Sequence, residues 1–484
     1  MTRLAISLLL LAGLAGAQDT GRFRRVFSTS EDVTQKQRLE AIEGLGDADS
    51  VEIASLLVDA YLFLENEAGE DIERRRPGLQ RDEKDRSLNP LRKEIDEVRV
   101  VQEALENRLQ KLKTPEAIER LVDRALGSTR LPLSLRLRLI RRAESLTDDQ
   151  LVGRSFPRAK STEDLLVALR FAESLGPRAS VWVQPVLRAL KHKESIVREH
   201  AAAALARMAS PESIEPLIER LGEEEGRTQE RMGEALEILT RQPIGTSKVA
   251  WDRWLEAEGQ PYVSGNVKLG GGKPTKPSHS NASRYHSIPV DGESVLYLID
   301  SSLSMNQTLR GKQADEKDET RWMRARDELI RVLGELSPEK RFNIVHFAGT
   351  LEQFQPKMVK ATPANVRRAQ QWLREIELKF GTAIYDALER AFIIAGRGTF
   401  DRYYECQVDT IFLLTDGRPY VGNQPDDPKR ILAAVKRWNA LNQVTLHVIG
   451  LGNDVPRGFL KSLATDQKGS LILERAGDKG TADQ

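Results

Sequence analysis

The chain holds a single cysteine, Cys406, in 484 residues, which excludes an intrachain disulfide and leaves stability to packing. Its place just before the apolar run Val408 to Leu414 marks a quiet, part-buried thiol rather than a cross-link between chains. Neither sign of charge prevails: 73 Lys and Arg face 72 Asp and Glu, so no global field draws nucleic acid or an anionic membrane. Recognition by charge has to be local. Beyond residue 17 there is no apolar run near the roughly 20 residues that cross a bilayer. Catalytic signatures are missing as well. The six histidines form no His-Glu-x-x-His spacing, no Gly-x-Ser-x-Gly elbow is present, and the lone cysteine has no companion histidine. Gly270 to Thr275 has the glycines and lysine of a phosphate loop. However, Pro274 replaces the hydroxyl residue, and neither a strand before it nor a helix after it is predicted. Gly450-Leu451-Gly452 lacks the third glycine of a dinucleotide loop and reads as a turn. Together these absences predict a protein that is not an enzyme.

What is present is an ordinary soluble composition, 40% hydrophobic and 30% charged, in a chain long enough for two or three domains. Arg3, the apolar run Leu4 to Ala17 and the small residues Ala15-Gly16-Ala17 fit a signal peptide cut before Gln18. The alternative, a short membrane anchor, asks more length of that run than it has. No cysteine follows the cut, so no lipid is attached there. The mature protein is expected to be exported, to the periplasm, the medium or the cell surface.

From Val33 to Glu258 the apolar residues recur at helical spacing, with Gly and Pro between the periodic runs. The clearest unit is Ile196 to Leu205, a break at Ser210-Pro211, then Ile214 to Leu221, and it resembles a HEAT repeat. Small alanines let its helices approach, and the proline stops the first so that the second folds back. Looser copies lie in Arg38 to Tyr61, in Thr114 to Leu126 with Leu133 to Leu146, and in Leu165 to Leu190. The resemblance implies an α-solenoid scaffold with a concave binding face, against an irregular helical bundle as the alternative. Trp251 and Trp254 fall in what reads as a capping helix. Leu88, Leu91, Ile95, Val98, Leu105, Leu109 and Leu112 follow a heptad with Gln102 as its polar exception, predicting a long helix that packs on its own chain or on a second copy. The charge-dense run Glu65 to Arg86, with Pro77-Gly78, reads as an exposed loop. Ser264 to Ser283, rich in Gly, Lys, Pro and Ser, reads as a flexible linker.

Beyond Pro289 short apolar runs alternate with amphipathic helices, which predicts an α/β doubly wound parallel sheet. Strands are expected at Ser294 to Ile299, Phe342 to Phe347, Thr410 to Leu414, Val444 to Ile449 and Ser470 to Leu473. Helices are expected at Thr320 to Leu336, Pro363 to Glu375, Ala383 to Ala395, Pro428 to Leu441 and Pro456 to Ala464. Ligands of such sheets lie outside the carboxyl ends of the strands. There the sequence offers Asp300-Ser301-Ser302-Leu303-Ser304, Gly381-Thr382 and Thr415-Asp416-Gly417. Alternation puts Asp300, Ser302 and Ser304 on one side of an extended loop, where a carboxylate and two hydroxyls can converge on a hard cation. Taken singly, such residues also cap turns and helices.

Taken together, Asp-x-Ser-x-Ser, a distant Thr and a distant Thr-Asp-Gly resemble the metal-ion-dependent adhesion site (MIDAS) of von Willebrand factor A-type (vWA) domains, over roughly Val290 to Leu473. The resemblance implies that Ser302, Ser304 and Thr382 ligate the ion directly or through water, while Asp300 and Asp416 hold coordinated waters. It implies Mg2+, with Ca2+ or Mn2+ feasible, and a protein partner presenting Asp or Glu to an ion that keeps net positive charge and an open position. The family often has Gly where this chain has Leu303, and a positive φ there would strain the loop. The charged loop Asn306 to Glu319 is either part of a partner surface or plain solvated loop. The domain plan is a signal peptide at 1–17, HEAT-like repeats at 18–259, a linker at 260–289, the vWA domain at 290–475 and a tail at 476–484. The whole resembles HEAT-plus-A-domain proteins exported by bacteria, and implies noncatalytic capture or adhesion. An accessory subunit of chelatase type and a structural cell-envelope protein are the alternatives.

Overall fold

The computed structural model describes residues 20–28, 33–81, 90–127, 130–151, 153–273, 283–396, 406–421, 424–425 and 427–476. The expected signal peptide and nearly all of the tail lie outside these residues. The chain forms two compact units. One runs up to Ile218 and takes in Ile238–Gln242 and Arg253–Gly272; the other holds Glu219–Glu237, Pro243–Asp252 and the residues from Lys273 onward.

The first unit is helical, with helices that include Gln35–Glu43, Val51–Arg81, Pro90–Lys111, Pro115–Gly127, Leu133–Ile140, Thr162–Leu175, Val183–Ala189, Ser195–Met208 and Ile214–Leu221. Helix Pro115–Gly127 forms because Ala117, Ile118, Leu121, Val122 and Ala125 recur on one face and are buried together. Each large apolar side chain so buried contributes roughly 1.5–3 kcal/mol. In the clearest repeat, Ala209 takes the left-handed conformation (φ 54°) after Ser195–Met208, and Pro211 opens the turn that leads into Ile214–Leu221. Ala201, Ala202 and Ala204 are fully buried, and their helix packs on Thr162–Leu175. Deep in this array Arg136 donates to Asp164 Oδ1 at 2.8 Å and to the Ala125 carbonyl at 2.8 Å, tying neighbouring helices with a buried ion pair.

One expectation needs correction here. The run expected as a loop from Glu65 continues the helix Val51–Arg81, because Glu, Arg, Leu and Ala favour a helix more than their charge favours a loop. Within it Glu65 is buried and accepts from Gln102 Nε2 at 2.8 Å, so the polar exception of the heptad has its partner inside the chain. Leu105, Leu109 and Leu112 are likewise buried without a second copy. Leu88 lies outside the described residues.

The second unit carries the sheet. A hairpin of β1 (Arg284–Tyr285) and β2 (Ile288–Pro289) leads into β3 (Ser294–Asp300), β4 (Arg341–Phe347), β5 (Leu351–Gln353), β6 (Val359–Lys360) and β7 (Thr410–Thr415). A second hairpin, β8 (Tyr420–Val421) and β9 (Gln424–Pro425), precedes β10 (Thr445–Leu451) and β11 (Leu471–Glu474). The order is β11-β10-β7-β3-β4-β5, with β6 also on β4. The five long strands are parallel, and β5 and β6 run antiparallel to β4. Val295, Tyr297 and Ile299 of β3 enter one core layer, under helices Arg321–Glu335 and Pro363–Arg374. Leu296 and Leu298 enter the other, under Ile384–Ile394, Pro428–Trp438 and Arg457–Thr465. Both faces are covered, which is why the strands read as unbroken apolar runs. From β3 the chain winds one way to β4, and from β7 the other way to β10 and β11. The winding therefore reverses between β3 and β7, where a doubly wound sheet opens a crevice at its carboxyl edge.

The region expected as a linker at 260–289 is built in at both ends. Gln260–Val263 is helical, and the Gly270 and Gly272 amides donate to the Leu239 and Ile238 carbonyls at 2.7 and 2.9 Å. These bonds complete the carboxyl end of a helix, and Gly270 makes its bond at φ +79°, a conformation that favours glycine. Tyr285, Ile288 and Val290 lie in the core of the sheet, Tyr285 edge-on to Tyr297 and Phe412 at 5.3 and 5.4 Å. The composition resembled a linker because these few apolar residues follow a long run of Gly, Lys, Pro and Ser.

Candidate metal centre

Asp300 ends β3 and Asp416 follows β7, so the crevice is flanked by one carboxylate from each strand. Asp300 is fully buried. Its Oδ1 accepts from the Ser302 amide at 2.8 Å, and its Oδ2 accepts from Thr415 Oγ1 at 2.6 Å. The first bond turns the chain back at once, so that Ser302 and Ser304 face the same side. Their hydroxyls lie 3.0 Å apart, and Ser304 Oγ donates to Asp416 Oδ1 at 2.8 Å. Burial, and then the nearby Asp416, push the Asp300 carboxyl well above the ordinary range, against hydrogen bonds from Ser302 and Thr415. Carboxylates crowded in this way are stabilised by a cation between them.

Thr382 arrives from the other side of the crevice. Its backbone exchanges two hydrogen bonds with Tyr420, at 2.8 and 2.9 Å, and its side chain lies beside Gly417. Gly381 makes this approach possible. It has φ +98°, and a Cβ there would stand 2.7 Å from Gly349 Cα, so only glycine lets the loop pass the end of β4. The loop after β3 is fixed by backbone pairing of Ser301, Leu303 and Lys379, each bond 2.9 Å long. Ser301 Oγ also meets His346 Nδ1 of β4 at 2.9 Å. Burial pushes that imidazole down to about 4 and keeps it neutral.

All five expected residues therefore come together. Asp300, Ser302, Ser304 and Asp416 form one hydrogen-bonded cluster, with Thr382 alongside Gly417. Their donors are oxygens only, two carboxylates and three hydroxyls, which suits a hard divalent cation. Leu303 does not have the positive φ that glycine would supply; it opens a short 3-10 turn, Leu303–Asn306, so the strain considered for it is absent. Sequence reading missed Arg321. The first residue of helix Arg321–Glu335, it donates through Nη1 to Asp416 Oδ2 at 2.6 Å, with both side chains buried. Nothing local in the sequence pairs residues so far apart. The five-residue segment Asp300 to Ser304 was visible because its oxygen-bearing residues lie close together in sequence.

Comparison with known proteins places this unit. A family model described as the von Willebrand factor type A domain matches residues 318–472, which include Thr382 and Asp416, and a HEAT-repeat model matches 156–237. The chain is 33% identical over 178 residues to human inter-alpha-trypsin inhibitor heavy chain H4, covering 37% of this chain and 18% of that protein. It is 31% identical over 193 residues to heavy chain H2 from Sus scrofa, covering 40% and 19%. The chain thus spans less than a fifth of the length of these relatives. A solved von Willebrand factor type A protein from Catenulispora acidiphila aligns with a TM-score of 0.31 and 20% identity, over 39% of this chain and 40% of that one. The sheet order, the crevice between β3 and β7 and the family match agree: residues 318–472 belong to a von Willebrand factor A-type domain, and HEAT repeats match at 156–237 ahead of it.

Proposed function

We propose that the A-type domain captures a protein partner through a divalent metal held by Asp300, Ser302, Ser304, Thr382 and Asp416, and that the chain is a noncatalytic, exported adhesion or assembly protein. The observation that carries this reading is the convergence of five oxygen-bearing side chains at the point where the sheet reverses its winding. Ser302, Ser304 and Thr382 are placed to ligate the ion, with Asp300 and Asp416 holding its waters. The ion, Mg2+ with Ca2+ or Mn2+ as substitutes, supplies a Lewis-acidic position for a carboxylate from outside. The Ser302 and Ser304 hydroxyls bond to each other, and Ser304 to Asp416, rather than to backbone groups, so their oxygens face the cluster that would hold the cation. Two exposed apolar side chains lie on the neighbouring loops: Leu303 is 53% exposed and Phe380 62% exposed, on segments joined by the Leu303 amide and the Lys379 carbonyl. A partner segment with an acidic residue beside an apolar one fits that surface. The HEAT-like array serves as a scaffold.

The reading is tested by selecting a random peptide library on the immobilised protein in Mg2+ and eluting with chelator. Eluted peptides should be enriched in Asp or Glu, and a Ser302→Ala variant should lose them. Enrichment that ignores both the chelator and the substitution would contradict capture through metal.

A further inference from the structure

Two ionised carboxylates cancel the charge of a divalent ion, so, contrary to the expectation that the ion keeps net positive charge, Asp300 and Asp416 alone would leave the loaded site neutral. A neutral site has little electrostatic pull on an incoming carboxylate. The missing charge is in the structure. Arg321 lies against Asp416 with its side chain 4% exposed, and its Nε carries no hydrogen-bond partner among the described residues. The guanidinium therefore brings a buried positive charge to the site. Its position is built from three sides. Thr320 caps the helix by accepting from the Met323 amide at 3.0 Å, and the Arg321 amide donates to the Gln307 carbonyl at 2.9 Å, which fastens the helix start to the loop after Ser304. On the far side Gly452, with φ +99°, makes room for the guanidinium; a Cβ there would stand 2.6 Å from Nη2 and 2.8 Å from Cζ.

We propose that Arg321 is a positioning residue of the metal site. It holds Asp416 with Oδ1 turned toward Ser304, and it returns one positive charge to the loaded site, at a cost in metal affinity and with a gain in attraction for anions. This rests on the reading that the five residues bind a divalent ion. A merely structural arginine predicts the opposite sign, because its loss would disorder Asp416 and weaken metal binding.

The test is calorimetric titration of the chelator-stripped full chain with Mn2+, for wild type, Arg321→Gln, Arg321→Met and Arg321→Lys. Acetate is then titrated against the Mn2+-loaded proteins while water-proton relaxation is followed. Arg321→Gln keeps an N–H for Asp416 while removing the charge, so it is the variant read where Arg321→Met does not fold. Removing a nearby like charge should tighten Mn2+ binding on the order of tenfold in Arg321→Gln, which keeps the hold on Asp416, and Arg321→Lys should stay near wild type. The neutral variants should need several-fold more acetate to displace bound water. Unchanged or weaker Mn2+ binding in a folded Arg321→Gln variant overturns the proposal. If wild type itself binds no Mn2+, the metal-site reading falls instead, and the two failures are separate.

Discussion

Asp416 serves two neighbours at once: one carboxylate oxygen takes the Ser304 hydroxyl at 2.8 Å, and the other takes the Arg321 guanidinium at 2.6 Å. The residue therefore joins the oxygen cluster to the start of helix Arg321–Glu335, and it has an energetic role apart from any ion. Truncating it strands a buried charge. Asp416→Ala should lose about 3–5 kcal/mol, and the double variant Arg321→Met with Asp416→Ala should lose less than the single one. Urea denaturation of the three proteins measures this. With Arg321→Met included to close the cycle, a double loss equal to the sum of the two single losses would mean that the pair is not coupled.

Tyr285 gives a prediction about where the domain begins. It is 1% exposed and edge-on to Tyr297 and Phe412. Tyr285→Ala removes a buried aromatic ring and should destabilise the domain by about 3–5 kcal/mol. Thermal unfolding of the full chain checks it. A loss within a few tenths of a kcal/mol would return the hairpin to the linker.

Leu303 tests the turn after β3. Because its φ is not positive, replacing it with Gly relieves nothing and adds freedom to the unfolded chain. Leu303→Gly should lower stability by roughly 0.5–1 kcal/mol. A gain in the urea midpoint would show that the turn is strained.

His346 sets a pH dependence. Burial lowers it to about 4 from an ordinary 6.5, with Glu352 opposing that shift. Because the folded value is depressed, the unfolded chain takes up a proton first. Stability is thus full above about pH 6.5 and lost as pH falls toward 4. The depression is worth about 3 kcal/mol. His346→Gln should start less stable at neutral pH and lose less on acidification. Parallel pH profiles for the two proteins would contradict the assignment.

The long strands were legible because each is buried on both faces, as in the run from Ser294 to Asp300 where only the first residue is part-exposed. Strands β5 and β6 were not, since Leu351–Gln353 and Val359–Lys360 are short, part-exposed edge pieces without an apolar run. Asp300, Ser302 and Ser304 were legible as a contiguous pattern, and Thr382 and Asp416 through their resemblance to the family motif. Arg321 was not, because its meaning comes from a partner 95 positions away. His346 was placed in a strand from sequence, but its bond to Ser301 depends on the register of β3 with β4.

The central claim is that five oxygen-bearing residues hold one divalent ion. Calorimetric titration of the chelator-stripped chain with Mg2+, Mn2+ and Ca2+, beside Asp300→Ala, tests it most directly. The account predicts one ion bound by the wild type and none by the variant at the same concentrations. No binding by either protein, or equal binding by both, would contradict it.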